Sequence, residues 1–166
     1  MIKYLAVATL AGLAFSSQTA SAANNIDLLT VDQAANTALY QVDGDDNRLQ
    51  IMQDSSGFSS GNTLTLTIKG DLNGGPLDAR FSGAALLPGL TPGSIVQRGE
   101  GNSIAMEVLG SNNLFAVAQN GSGNMLTASI VGSANQASVS QVGNANVASF
   151  SQNGTGNIVS IMQRSW

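Results

Sequence analysis

The residues that most enzymes use for covalent or metal chemistry are missing from this sequence: its 166 residues include no cysteine and no histidine. Thiol nucleophiles, thiolate and imidazole metal ligands and every histidine-based triad are thereby removed together. What remains is a thin set of ten carboxylates against six basic side chains. Asp43-Gly44-Asp45-Asp46-Asn47 spaces its carboxylates as a calcium loop would, but it lacks the twelfth-position glutamate and reads as a solvated acidic turn. Gly70-Asp71-Leu72-Asn73-Gly74-Gly75 has the flavour of a calcium-binding nonapeptide, yet it does not repeat. Glu100 and Glu107, the only glutamates, would have to converge across one cleft to serve as a glycosidase pair. They fall in different repeat units and read as exposed charges that discourage lateral sticking. A polysaccharide-cleaving β-helix would need clustered carboxylates, so no catalytic residue, cofactor or metal site is expected.

The chemistry left is that of amides. Asn102, Asn113, Asn124, Asn135, Asn146 and Asn157 stand eleven residues apart without slippage, and each is preceded by three places by a glycine: Gly99, Gly110, Gly121, Gly132, Gly143 and Gly154. The second and fourth places after each Asn are apolar, from Ile104 and Met106 to Val159 and Ile161. That spacing of two is the period of a strand with one inward face. The intervening places are mostly small or polar, with Leu114, Met125 and Val147 as exceptions. The glycine-centred segments between strands accept positive φ and read as turns.

The sixth place after each Asn distinguishes odd units from even ones. Gln97, Gln119, Gln141 and Gln163 recur every twenty-two residues, while Val108, Ile130 and Gln152 occupy the alternate places. The repeat is therefore a coil of two strands, which predicts an all-β, flattened β-solenoid with a 22-residue coil built from 11-residue halves. Residues one coil apart then lie over one another at roughly 4.7 Å. Such stacking converts buried amides from a liability of about 1–3 kcal/mol each into ladders that donate one way and accept the other, as in amyloid. The expected ladder residues are the six asparagines above with Gln97, Gln119, Gln141, Gln163 and Gln152.

Lys3, the apolar run from Tyr4 to Phe15 and the small-x-small pattern Ala20-Ser21-Ala22 read as a secretory signal over residues 1–22, with the mature chain beginning near Ala23. Five basic and ten acidic side chains then remain, a balance with no attraction for nucleic acid or anionic lipid. Without disulfides, packing and backbone hydrogen bonds must hold the exported chain.

Residues 91–166 resemble the curlin repeat family, the subunits of curli fibres. Gln141-Val142-Gly143-Asn144-Ala145-Asn146-Val147-Ala148, continuing to Gln152, meets the family pattern in full, and Gln97-Arg98-Gly99 with Asn102 meets it in part. The resemblance implies a secreted subunit of an adhesive, biofilm-associated fibre at the bacterial cell surface. It implies as partners other copies, a second curlin-type subunit, and outer-membrane export and nucleation machinery.

Residues 23–75 carry a degenerate version of the pattern. Asn25, Asn36 and Asn47 keep the eleven-residue step, and after a slip of about four residues at Asp54–Gly57 it resumes at Asn62 and Asn73. Inward places are Ala38, Tyr40 and Val42, then Leu49, Ile51 and Gln53, then Leu64, Leu66 and Ile68. Residues 76–93, with Pro76, Pro88 and Pro92, read as a linker or hairpin before the regular solenoid of 94–166. The last unit keeps phase through Gln163 with only Arg164 as a charge, so it lacks the polar cap of monomeric solenoids. Trp166 is expected to cover the last coil or to join a further subunit. The alternative is a monomeric secreted adhesin or binding module, which needs a regular outward array; the one Thr-x-Thr run is Thr63–Thr67.

Overall fold

The structure, a computed structural model, describes residues 4–9, 24–31 and 36–166. Its strands are β1 (Tyr4–Thr9), β2 (Asn25–Val31), β3 (Thr37–Asp43), β4 (Arg48–Asp54), β5 (Thr63–Lys69), β6 (Ser94–Glu100), β7 (Ser103–Leu109), β8 (Leu114–Ser122), β9 (Met125–Ser133), β10 (Gln136–Asn144), β11 (Val147–Thr155) and β12 (Ile158–Arg164). Even strands form one sheet in the order β12-β10-β8-β6-β4-β2 and odd strands the other, β1-β3-β5-β7-β9-β11. Every pairing is parallel except that of β1 with β3. The fold is a parallel β-solenoid of about six turns, each turn one even and one odd strand. The cleavage pattern at Ala20–Ala23 lies outside the described residues.

Alternation makes the core. Inward residues of the odd sheet stack as Ala38, Leu64, Ile104, Leu126 and Ala148, then Tyr40, Leu66, Met106, Ala128 and Phe150, then Val42, Ile68, Val108, Ile130 and Gln152. In the even sheet Leu28, Ile51, Ile95, Val117, Val139 and Ile161 form one column. These apolar columns belong to a single buried cluster that runs through both halves of the chain. Each buried Leu, Ile, Val or Phe side chain contributes about 1.5–3 kcal/mol relative to exposure.

The coil length is a property of the stack and not of the chain. Residues from β8 onward pair at a spacing of twenty-two. Asn73 meets Asn47 twenty-six residues back, and Asn113 meets Asn73 at forty. The four extra residues lengthen the loop Ser55–Gly61 after β4. The eighteen others, Gly75–Pro92, leave the even sheet and fold over its outer face. There Phe81 and Ala85 cover Ala116, with Leu90 and Leu114 alongside, which explains the apolar residue at 114. A short 3₁₀ turn, Gly83–Ala85, lies against β10 and β12. Ser82 N donates to Gln136 Oε1 at 2.8 Å and Gln136 Nε2 donates to Ser82 Oγ at 2.7 Å. Arg48 Nη1 holds the returning segment through Pro92 O at 3.1 Å. The segment expected as a linker or hairpin lies as a flap on the solenoid, and β4 and β5 pair directly with β6 and β7 beneath it.

Candidate functional site: the amide columns and the solenoid ends

Each coil has two corners, and an asparagine occupies each. Asn24, Asn47, Asn73, Asn113, Asn135 and Asn157 form the column that opens the even strands; Asn36, Asn62, Asn102, Asn124 and Asn146 open the odd ones. Three bonds lock the corners of the regular repeats inside the stack. Asn124 N and Nδ2 donate to Asn102 Oδ1 at 3.1 and 2.9 Å, and Nδ2 also donates to Gly143 O at 2.9 Å. The same pattern joins Asn135 to Asn113 and to Gly154 O. Because a backbone N–H only donates, Oδ1 of the earlier Asn must face the later coil, and the amide's orientation is settled by chemistry.

The glycine column completes the corner. Gly99, Gly121 and Gly143 lie in register in the even sheet, and Gly132 and Gly154 in the odd one, where Gly110 lies beneath Gly132. Their φ values run from 103° to 126°. A Cβ on Gly121 would overlap the carbonyl of Gly143, and one on Gly132 that of Gly154. Gly154 itself would meet only Asn157 Nδ2 at 3.4 Å. At most corners the residue before the ladder Asn also takes positive φ, even when it is not glycine: Asp46, Leu72, Asn112, Ala134 and Ala145 lie between 55° and 59°.

Glutamine forms the third column. Gln53 donates to Gln97 at 2.9 Å, Gln97 to Gln119 at 3.0 Å, Gln119 to Gln141 at 2.8 Å and Gln141 to Gln163 at 2.8 Å. Each Nε2 also reaches across the core to the first carbonyl of an odd strand, as Gln119 does to Ser103 O at 3.1 Å. Gln53, Gln97, Gln119 and Gln141 are almost fully buried. Donors in this column point toward later coils, whereas in the asparagine columns the acceptors do.

Three expectations are corrected. Asn25 is exposed at the start of β2, and its neighbour Asn24 holds the corner, accepting from Asn47 N at 2.8 Å. Asn24 and Asn36 stand twelve residues apart, so the eleven-residue step does not hold between these two corners. Gln152 stands in no amide ladder. It lies over Ile130, sends Nε2 to Gln136 O at 3.0 Å, and buries Oε1 without a partner. Trp166 is fully exposed and covers no coil. The amides at Gln53, Asn24 and Asn73 extend the columns beyond the regular repeats. Asn73 takes the place that strict spacing assigns to Thr91, a substitution visible only once the flap is seen to leave and rejoin the sheet.

The carboxylates do not gather. Asp71 Oδ1 accepts from Asp45 N at 2.8 Å within a turn stack, and Glu107 points outward from the odd sheet. Among the described residues no three acidic groups converge as metal ligands. Asp54, partly exposed at the end of β4, is held below the usual carboxylate range by the Ser56 hydroxyl and N–H. Burial pushes the Tyr40 phenol up.

Both ends of the stack are unfinished among the described residues. Phe150, Val159 and Ile161 line the core of the last coil yet stay partly exposed, and Ile26 and Leu28 do so in the first. Oδ1 of Asn146 and of Asn157 face no further coil, and Gln53 Oε1 is buried without a partner where β2 places Thr30.

Fold and columns together define a parallel β-solenoid whose repeated feature is a set of hydrogen-bonded amide ladders along its axis. Residues 132–164, from the end of β9 to the end of β12, match the family model of the curlin associated repeat. Curlin repeats are structural units and not catalytic ones. No curated protein and no solved structure matches the chain.

Proposed function

We propose that this chain is a structural subunit of an extracellular curli-type amyloid fibre at the bacterial cell surface, serving adhesion and the biofilm matrix. The leader over residues 1–22 directs export, the mature chain begins near Ala23, and copies join end to end. A second curlin-type subunit and an outer-membrane export and nucleation apparatus are the expected partners.

The observation that carries this reading is the pair of unfinished ends. An exposed strand edge is a template for further pairing, and here the edge comes with exposed core residues and ladder groups of fixed polarity. Stacked in the same direction, the Oδ1 atoms at one end meet amide donors at the other. Stacked in opposite directions, acceptor would face acceptor, which favours a polar, head-to-tail fibre. The acidic balance of the chain gives no reason for binding nucleic acid.

The test is growth from purified chain beginning at Ala23, followed by thioflavin-type fluorescence and electron microscopy. Seeded elongation with a cross-β spacing of roughly 4.7 Å is expected. A chain that stays monomeric for days at high concentration overturns the fibre reading and points to the adhesin. For the adhesin, the outward face of the odd sheet offers Thr65 and Thr67, but Ala105 and Glu107 interrupt the array in the next strand.

A further inference from the structure

We infer that the flap Gly75–Pro92 guards a self-pairing face: when it lifts, the outer face of the even sheet is free to dock on the same face of a second copy of this chain. The surface lies on the side of the solenoid, so the inference goes beyond the end-to-end reading above and does not rest on it.

The flap is organised to move as a unit. Its backbone bonds close within itself, from Ala79 N to Pro76 O, Ala85 N to Ser82 O and Leu90 N to Leu87 O. The even strands pair beneath it from β4 to β10, so lifting it breaks no ladder bond. Gly74 and Gly75 at one end and Gly93 at the other, with φ of 81°, 70° and 79°, supply the hinges. Between those ends it is held by Phe81 and Ala85 on Ala116, by the Ser82 and Gln136 pair, and by its 3₁₀ turn against β10 and β12. A groove of about 450 Å³ stays open beneath its root, between Pro76, Arg80, Leu114 and Gln136.

The closed seat also leaves a polar group unpaired. Ser138 lies beside Ala116 on the next strand and is fully buried, and its Oγ has no hydrogen-bond partner. The penalty for a buried unpaired hydroxyl is of the same order as the gain from covering one aromatic side chain, so the seat is weak.

The face beneath is complementary to itself. Its two central columns, Ala116 with Ser138 and Ala118 with Ser140, carry small uncharged side chains in register on β8 and β10. Two identical sheets can close on such columns as a dry interface. A two-fold axis along the solenoid reverses strand direction and keeps the coils level, so each strand faces its own copy in the opposite sense. Ala116 of one copy then meets Ala118 of the other, and Ser138 meets Ser140, whose hydroxyl gives Ser138 Oγ the partner it lacks. At the margins Arg48, first in β4, comes opposite Asp54, last in β4, and this pairing occurs twice. Asp54, Arg98 and Arg164 share one margin, so the same reversal keeps the arginines of the two copies apart. The six described even strands, at roughly 4.8 Å spacing and about seven residues of roughly 3.3 Å each, give a face of about 650 Å². That approaches the roughly 800 Å² per partner of a standard interface. The outer face of the odd sheet, with Lys69 and Glu107, has no such uncharged centre.

The experiment compares the full chain with a variant carrying Phe81→Ser and Ser82→Pro, by analytical ultracentrifugation of freshly dissolved, fibre-free protein. Phe81→Ser removes the apolar anchor, and Ser82→Pro removes the N–H and hydroxyl that hold Gln136; neither touches a solenoid strand. A closed flap weakens apparent affinity by the fraction of chains that are open, so the variant is expected to dimerise at concentrations lower by about tenfold or more. Adding Ser140→Arg puts a bulky charge at the centre of the face and should return the variant to monomer. Dimers that persist with Ser140→Arg overturn the face, a folded variant that stays monomeric overturns the docking, and equal dimerisation of the unmodified chain overturns the guard. Should the variant misfold, excision of 75–92 lifts the cover in full, and a monomeric excised chain overturns the proposal equally. Fibre growth is scored separately: a chain that forms no fibres refutes the end-to-end reading and leaves the dimer measurement to decide this one.

Discussion

Gly74 and Gly93 sit side by side although the eighteen-residue flap separates them in sequence: a Cβ built on Gly74 would lie 3.1 Å from Gly93 Cα. Gly74 N donates to Asn113 O and Gly93 N to Phe115 O, so both lie against β8. Joining Gly74 directly to Gly93 by excising 75–92 should therefore restore a coil of ordinary length. The excised chain is expected to keep its β-sheet circular dichroism and its Asn73 to Asn113 ladder. It should lose about 1.5–3 kcal/mol of apolar cover as Phe81 leaves Ala116 and Leu114 exposed. Collapse to an unfolded chain in urea-free buffer would show that the flap is needed to nucleate the stack.

Gln119 and Gln152 look alike in sequence and should respond with different magnitudes. Gln119→Leu removes a donor to Gln141 Oε1 and an acceptor for Gln97 Nε2 in a fully buried column. A loss of about 1–3 kcal/mol in urea denaturation is expected. Gln152→Leu stacks an apolar side chain on Ile130 and removes a buried unpartnered oxygen. It should be neutral within about 1 kcal/mol or stabilising.

Gly121 and Gly154 have similar positive φ values, 126° and 114°, yet only Gly121 has a carbonyl where a Cβ would go. Gly121→Ala must shift the backbone of two coils. It should cost well over the roughly 1–2 kcal/mol of left-handed strain that Gly154→Ala incurs alone. Comparison of the two melting temperatures checks this; equal losses would mean that φ, and not the close stacking of coils, explains the glycine column.

Tyr40 gives the alkaline limit. Its folded-state pKa is raised by burial, so the unfolded chain ionises first as pH climbs past about 10. Stability is complete below that value and declines as pH rises toward the folded pKa, because only the unfolded state loses the proton. Tyr40→Phe should remove this part of the alkaline loss, read as the pH dependence of the urea midpoint from neutral pH to about pH 11. An unchanged slope would place the phenol in contact with water.

Much of this architecture was legible in order along the chain because its physical repeat is also its covalent one. From β6 and β7 to β12, paired residues stand twenty-two places apart, so spacing, inward parity and the Gln97 to Gln163 column could be read without knowing any contact. The strand period is local for the same reason: Ile104 and Met106 face inward because neighbouring side chains of a strand alternate.

What the tertiary structure alone decided are the places where chain spacing and stacking part company. Asn24 and not Asn25 holds the first corner, Asn73 takes the rung that spacing assigns to Thr91, and the flap covers Ala116, since each depends on which distant residue arrives opposite. Gln152 has the right residue type at the right interval, yet its neighbour one coil below is Ile130, and a ladder requires a second amide. The order of the described strands in the two sheets is likewise a sum over pairings that no local pattern contains. Hydrogen-bond columns are set by the partner across the coil, and the sequence names that partner only where the interval never slips.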